Sequence, residues 1–129
     1  VIISALKRKR PVLRSNGKLI RDYLYVEDVS NAYIKLMFEM FKNKRNLFVY
    51  NVGSNENLTV SKLVSLIIKK IINKNLSPVI LNNSKIEIKK QKLNYKKIYK
   101  ELGWKPVWNI HRAMDITIDW YKKNLTLFN

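Results

Sequence analysis

The run Arg21-Asp22-Tyr23-Leu24-Tyr25-Val26-Glu27-Asp28-Val29 constrains the fold of this chain more than any other segment. Its aromatic and β-branched residues favour a strand, and Asp28 then offers an N-cap or a first-turn acid for a helix. A strand over residues 19–26 is therefore expected to run straight into a helix reaching about Phe41. Ala32, Tyr33, Leu36, Met37 and Met40 follow the i, i+3, i+4 rule and make that helix amphipathic.

The same reading extends along the chain. Residues 2–9 look like the end of a helix stopped before Pro11. Residues 11–14 are extended, and Ser15-Asn16-Gly17-Lys18 carries the Asn-Gly signal of a hairpin turn. Residues 47–52 are apolar nearly throughout, which predicts a strand covered on both faces, as in a parallel sheet. After a loop at 53–57, Thr59 is the expected N-cap of a helix with core face Leu63, Val64, Ile67, Ile68 and Ile71. That helix should end over residues 73–77, before short strands at 78–81 and 85–88. Asn94 can cap a short helix ending at Leu102, with Gly103 and Pro106 marking its stop. Asn109 caps a last helix with inner face Ile110, Ala113, Met114, Thr117, Ile118 and Tyr121. Helices and strands alternate, no repeat or long linker interrupts them, and the class is α/β in a single domain over residues 1–129.

Composition narrows the options. The chain has 129 residues, 47% of them hydrophobic, enough for a packed core. With no cysteine there is no disulfide, no thiolate zinc site and no cysteine nucleophile, which fits a cytoplasmic setting. No apolar stretch approaches the ~20 residues that cross a bilayer. The formal charge of +17 is that of a nucleic-acid binder. The excess is mostly lysine spread through every segment alongside Asn and Ile, residues that share A/T-rich codons. Lys7-Arg8-Lys9-Arg10 accordingly reads as a solvated helix end, with a small basic nucleic-acid-binding module as the alternative. The chain starts at Val1 in what looks like mid-helix, so a fragment without its N-terminal half is expected.

Arg21 is the sharpest binding candidate, because a guanidinium meets phosphate oxygens bidentately and a strand fixes its direction. A surface pair with Asp22 or Glu27 is the plainer alternative. Arg14 could serve the same end of a ligand, and the extended backbone of Val12 and Leu13 could meet a nucleobase edge. Glu27 and Asp28 are better placed for helix capping than for acid/base work. His111, alone in the first turn of the last helix, reads as exposed. Asn51-Val52-Gly53-Ser54 follows an apolar segment, where nucleotide folds place ligand loops, yet one glycine makes a turn the simpler reading. Trp104, Trp108 and Trp120 read as core or clamp residues. Gly17, Gly53 and Gly103 are the only glycines, so the dinucleotide-binding fingerprint is absent. No tyrosine has a lysine four positions later. No catalytic residue, cofactor-binding residue or metal ligand is assigned.

Residues 11–17 (PVLRSNG), 21–29 (RDYLYVEDV), 48–53 (FVYNVG) and 101–106 (ELGWKP) together resemble successive blocks in the C-terminal half of the extended short-chain dehydrogenase/reductases, the NAD-dependent epimerase/dehydratases of sugar nucleotides. The combination with 101–110 (ELGWKPVWNI) and 118–122 (IDWYK) looks most like CDP-glucose 4,6-dehydratases. The resemblance implies the substrate-binding portion of an extended Rossmann-type enzyme, inactive alone. One strand and one helix would complete an absent N-terminal NAD domain. It further implies a nucleotide-sugar ligand such as CDP-glucose, NAD in the full enzyme only, and a homodimer, with no membrane and no nucleic acid as partner. Arg21 matches the diphosphate contact, and Val12, Leu13 and Arg14 match the strand near the base. Many relatives have a further arginine in the region of residues 87–92, where this chain has lysines. The segment at 47–52 and the helix from Asp28 would be partly uncovered without the NAD domain, leaving an apolar edge prone to aggregation.

Overall fold

The computed structural model describes residues 1–43, 48–54, 56–72, 76–84 and 87–128. Its elements run α1 (Ile2–Leu6), β1 (Val12–Leu13), β2 (Ile20–Asp22), α2 (Val26–Lys42), β3 (Asn57–Thr59), α3 (Val60–Ile72), β4 (Val79–Ile80), α4 (Lys96–Leu102) and α5 (Ile110–Lys123), with a 3-10 turn at Leu125–Phe128. β1 pairs with β4 and β2 with β3. The chain forms two compact units that it enters more than once. The first holds Val1–Arg21, Leu58–Gln91 and His111–Asn129, the second Asp22–Asn57 and Lys92–Ile110.

In the first unit, β1 and β4 are parallel, with Val12 opposite Val79 and Leu13 opposite Ile80. Leu13, Val64 and Ile68 are buried together, with Val60 and Leu76 against them. α3 is the helix that its spacing predicts: Val64, Ile67 and Ile68 are buried, Leu63 and Ile71 half-buried. Its N-terminus is capped as expected, the Lys62 N–H donating to Thr59 Oγ1 at 3.2 Å. α1 packs on α3. α5 buries Ala113, Met114 and Ile118.

In the second unit, Ala32 of α2, Ile98 of α4 and Trp104 form the core, with Leu24, Tyr50, Val52, Tyr95 and Leu102 around them. Tyr95 meets Trp104 edge-on, ring centroids 5.7 Å apart. Gly103 takes the left-handed conformation that ends α4, at φ +63°.

Several expectations are corrected. The turn at residues 15–18 closes no hairpin, because the extended segments on its two sides take different partners, β4 and β3. Side chains shape it instead: Asn16 Oδ1 accepts from Lys18 N at 2.9 Å and Ser15 Oγ from Gly17 N at 3.3 Å. Gly17 is required there, since its φ is +75° and a Cβ would lie 2.0 Å from Ser61 Oγ. The first helix ends at Leu6, and the basic run beyond it staples carbonyls. Lys7 Nζ donates to Phe128 O at 2.9 Å, and Arg10 Nε to Ser77 O at 2.8 Å.

The strand before α2 stops at Asp22, and the helix begins at Val26 with no side-chain cap, so Asp28 lies in its first turn. Only Ala32 of the five stripe positions on α2 is buried. Tyr33, Met37 and Met40 are exposed. Residues 48–52 form no strand. Phe48, Tyr50 and Val52 are half-buried and Val49 and Asn51 exposed, an alternation that covers one face only. Without a neighbouring strand to pair with, an extended apolar segment cannot enter a parallel sheet. Leu47, residues 73–75 and residues 85–86 fall outside the described residues. Glu87 and Ile88 are not in a strand, and a single parallel bridge joins Lys90 to Ile20.

Candidate functional site

The bridge at Ile20 builds the site around Arg21. Ile20 N donates to Lys89 O at 3.0 Å, and Ile20 O accepts from Gln91 N at 3.0 Å. This backbone pairing holds the segment from Glu87 beside β2. Arg21 Nη1 donates to Ile88 O at 2.8 Å and to Ile20 O at 3.0 Å, while Nη2 donates to Glu87 Oε2 at 3.1 Å. The ion pair is with Glu87 rather than with Asp22 or Glu27. Both partners keep access to solvent, their side chains being 24% and 32% exposed. A cationic fork held on one side by backbone carbonyls and open to solvent can receive an anion.

The other predicted contacts lie on β1. Carbonyls of Pro11 and Leu13 accept from Val79 N and Leu81 N, both at 2.8 Å. Val12 lies between them and directs its own carbonyl to the opposite edge, as the alternation of a strand requires. The Leu13 carbonyl is thus engaged within the sheet, and its side chain is buried. Val12 is 56% exposed, and the side chain of Arg14 is exposed as well. Among the described residues no hydrogen bond or ion pair links Arg14 to Arg21.

Two carboxylates that sequence reasoning treated as helix-start or surface acids have other tasks. Asp22 accepts from Ser54 N at 2.8 Å and Leu93 N at 3.0 Å, and also from the Ser54 hydroxyl. A Cβ on Gly53 would come within 2.8 Å of both Asp22 Oδ2 and Leu93. The Gly53 turn is thus filled by protein and is no phosphate cradle.

Asp28 is 1% exposed and accepts from Val107 N at 3.0 Å and Trp108 N at 3.3 Å, while its carbonyl accepts from Trp104 Nε1 at 3.0 Å. Glu27 is exposed, so the two acids do not act as a pair. His111 is exposed, and Trp104 is core. Glu87 went unnoticed in the sequence because its distance from Arg21 along the chain carries no signal of pairing.

Cavities elsewhere have a different character. One of about 580 Å³ is lined by Ala5, Leu6, Ile71, Ile72 and Leu76 with Arg8 and Lys122 at its polar side. Another of about 540 Å³ runs over the exposed apolar residues of α2, from Tyr33 to Phe41. Among the described residues no group of three His, Cys, Asp or Glu could hold a metal ion, and no helix is long and apolar enough to cross a membrane.

Comparison with known proteins gives a consistent picture. No protein-family model matches the chain. It is 28% identical over 136 residues to the dTDP-glucose 4,6-dehydratase of Salmonella typhimurium, covering 100% of this chain and 37% of that protein. The crystal structure of UDP-glucose 4-epimerase from Thermotoga maritima, with UDP-glucose, superposes with a TM-score of 0.81 at 27% identity, over 96% of this chain and 38% of that one. The dTDP-glucose 4,6-dehydratase of Bacillus anthracis, in complex with NAD, superposes with a TM-score of 0.79 at 25% identity, over 95% and 37%. The chain therefore spans little more than a third of the length of the relatives it matches.

Proposed function

Because the chain matches the C-terminal portion of the extended short-chain dehydrogenase/reductases, the NAD-dependent epimerase/dehydratases, we propose that it is the sugar-nucleotide-binding part of such an enzyme. Arg21 is the residue that carries the proposal. It stands on a strand with its guanidinium anchored by two backbone carbonyls and Glu87, ready to donate to the diphosphate. Val12, through its outward carbonyl, and Arg14 extend the same ligand toward the base.

The substrate is a nucleoside-diphosphate hexose, and the reaction of the whole enzyme is 4,6-dehydration or C4 epimerisation. Residues 11–17, 101–110 and 118–122 favour CDP-glucose as the substrate.

NAD belongs to a region outside this chain. The three glycines are scattered, and the one after an apolar segment, Gly53, is packed against Asp22 and Leu93. No reaction step is assigned to residues of this chain, and alone it is inactive. The exposed face of α2 (Tyr33, Ile34, Met37, Phe38, Met40 and Phe41) and the one-sided segment at 48–52 support a missing NAD-binding partner region. A cytoplasmic homodimer completes the reading.

The test uses the full-length protein that contains this chain. Arg21→Ala should weaken sugar-nucleotide binding by about 1.5–3 kcal/mol in calorimetry, with Arg21→Lys recovering part of it. Thermal unfolding without ligand should barely change. Unchanged affinity, or a large loss of ligand-free stability, would make Arg21 a structural ion-pair residue. Comparing CDP-, dTDP- and UDP-glucose in the same titration ranks the base. Equal affinity for all three would remove the CDP preference while leaving the diphosphate contact intact.

A further inference from the structure

We propose that Glu87 is a positioning residue for Arg21, turning one edge of its guanidinium toward a diphosphate; this rests on the sugar-nucleotide reading above. The argument begins with donors. A guanidinium carries five N–H groups, two on each Nη and one on Nε. Nη1 of Arg21 uses both of its hydrogens on the carbonyls of Ile88 at 2.8 Å and Ile20 at 3.0 Å. Nη2 uses one on Glu87 Oε2 at 3.1 Å. Among the described residues, the Nε–H and the second Nη2–H are not engaged. They sit on the two nitrogens that flank the side of the fork away from Nη1, the pair that meets two phosphate oxygens side-on.

Each anchor is itself fixed. Ile20 O also accepts from Gln91 N, and Ile20 N donates to Lys89 O. The backbone that carries Glu87 and Ile88 is thereby registered against the strand that carries Arg21. The two carbonyls hold one end of the guanidinium, but contacts at Nη1 alone leave rotation about that nitrogen. Glu87, contacting the other terminal nitrogen, fixes the plane. Its carboxylate would repel a phosphate at long range, so its net effect on binding decides between two roles. As a positioner it helps binding through orientation, and as a competitor it occupies the fork and hinders binding. Glu87 meets only one of the two Nη2 hydrogens, which leaves Nε and Nη2 one hydrogen each to donate and favours the positioner. A pair with both side chains a quarter to a third exposed adds little to folding. Its contribution should therefore appear in the ligand-binding kinetics.

The experiment is steady-state kinetics on the full-length protein with its sugar nucleotide, with thermal unfolding of each variant without ligand. Glu87→Ala should raise KM about tenfold with kcat within about twofold, the signature of lost uniform binding. Glu87→Gln keeps an acceptor at the same reach and should raise KM only about threefold. In an Arg21→Ala background, Glu87→Ala should add less than about twofold, because the two residues act as one unit. A KM that is unchanged or lowered by Glu87→Ala overturns the proposal, as does an effect that is additive with Arg21→Ala. A fall in ligand-free stability large enough to account for the activity change would make Glu87 structural and would overturn the proposal equally. If Arg21→Ala binds sugar nucleotide as well as wild type, the functional reading itself fails and takes this inference with it. A response to Arg21→Ala without one to Glu87→Ala removes only the inference.

Discussion

α2 and α3 carry the same kind of apolar stripe, and the structure treats them differently. On α3, Val64, Ile67 and Ile68 are buried in the first unit. On α2, Ala32 and Asp28 are buried, while Tyr33, Met37 and Met40 stand in solvent with Ile34, Phe38 and Phe41 beside them. Spacing announces that a helix needs a neighbour, and it does not say where in the protein the neighbour is. With Val26, seven large exposed apolar residues on one helix are more than scattered surface hydrophobics account for. The difference between the helices is thus one of coverage: this chain buries the stripe of α3 and leaves that of α2 exposed.

Substitutions that truncate each stripe test this contrast. Ile68→Ala on α3 should have the largest effect, about 2–5 kcal/mol of unfolding free energy, because it removes buried atoms and leaves a cavity. Urea denaturation measures it, and a loss below about 1 kcal/mol would mean that the α3 core is loose. Asp28→Ala on α2 should follow at about 1.5–3 kcal/mol, since it removes a buried carboxylate that accepts from the Val107 and Trp108 N–H groups. Asp28→Asn keeps an acceptor and should recover part of the loss; equal losses for both would place the effect in the charge rather than in the hydrogen bonds.

Met37→Ala should change the stability of this chain by no more than about 0.5 kcal/mol, because Met37 is 45% exposed. In the full-length protein the same substitution should cost clearly more. An equal, small effect in both would leave the α2 face without a partner. Weakest of all should be binding to random duplex DNA, lost near physiological salt as expected of unspecific polycation attraction. Sub-micromolar, sequence-selective binding that survives ~0.2 M salt would instead assign the +17 charge to a nucleic-acid function.

Much of the local structure was legible. The Thr59 cap, the α3 core face, the Gly103 stop and the Arg21 strand are decided by residues within a few positions of each other, where steric and hydrogen-bonding preferences act directly. The candidate site was half legible. Arg21 stands out by its chemistry and motif, whereas Glu87 becomes its partner only because a parallel bridge lays residues 87–91 along β2.

What the sequence determined by itself was the set of helices, their apolar faces and the residue type that suits a diphosphate. Those properties follow from periodicity and side-chain chemistry. Tertiary structure alone decided the pairings. β1 lies parallel to β4 and closes no hairpin with β2, Asp28 from the first turn of α2 binds Val107 and Trp108, and Asp22 fills the Gly53 turn. A backbone donor can be satisfied by any acceptor brought within about 3 Å. Which acceptor arrives depends on the path of the whole chain, and local sequence does not specify that path.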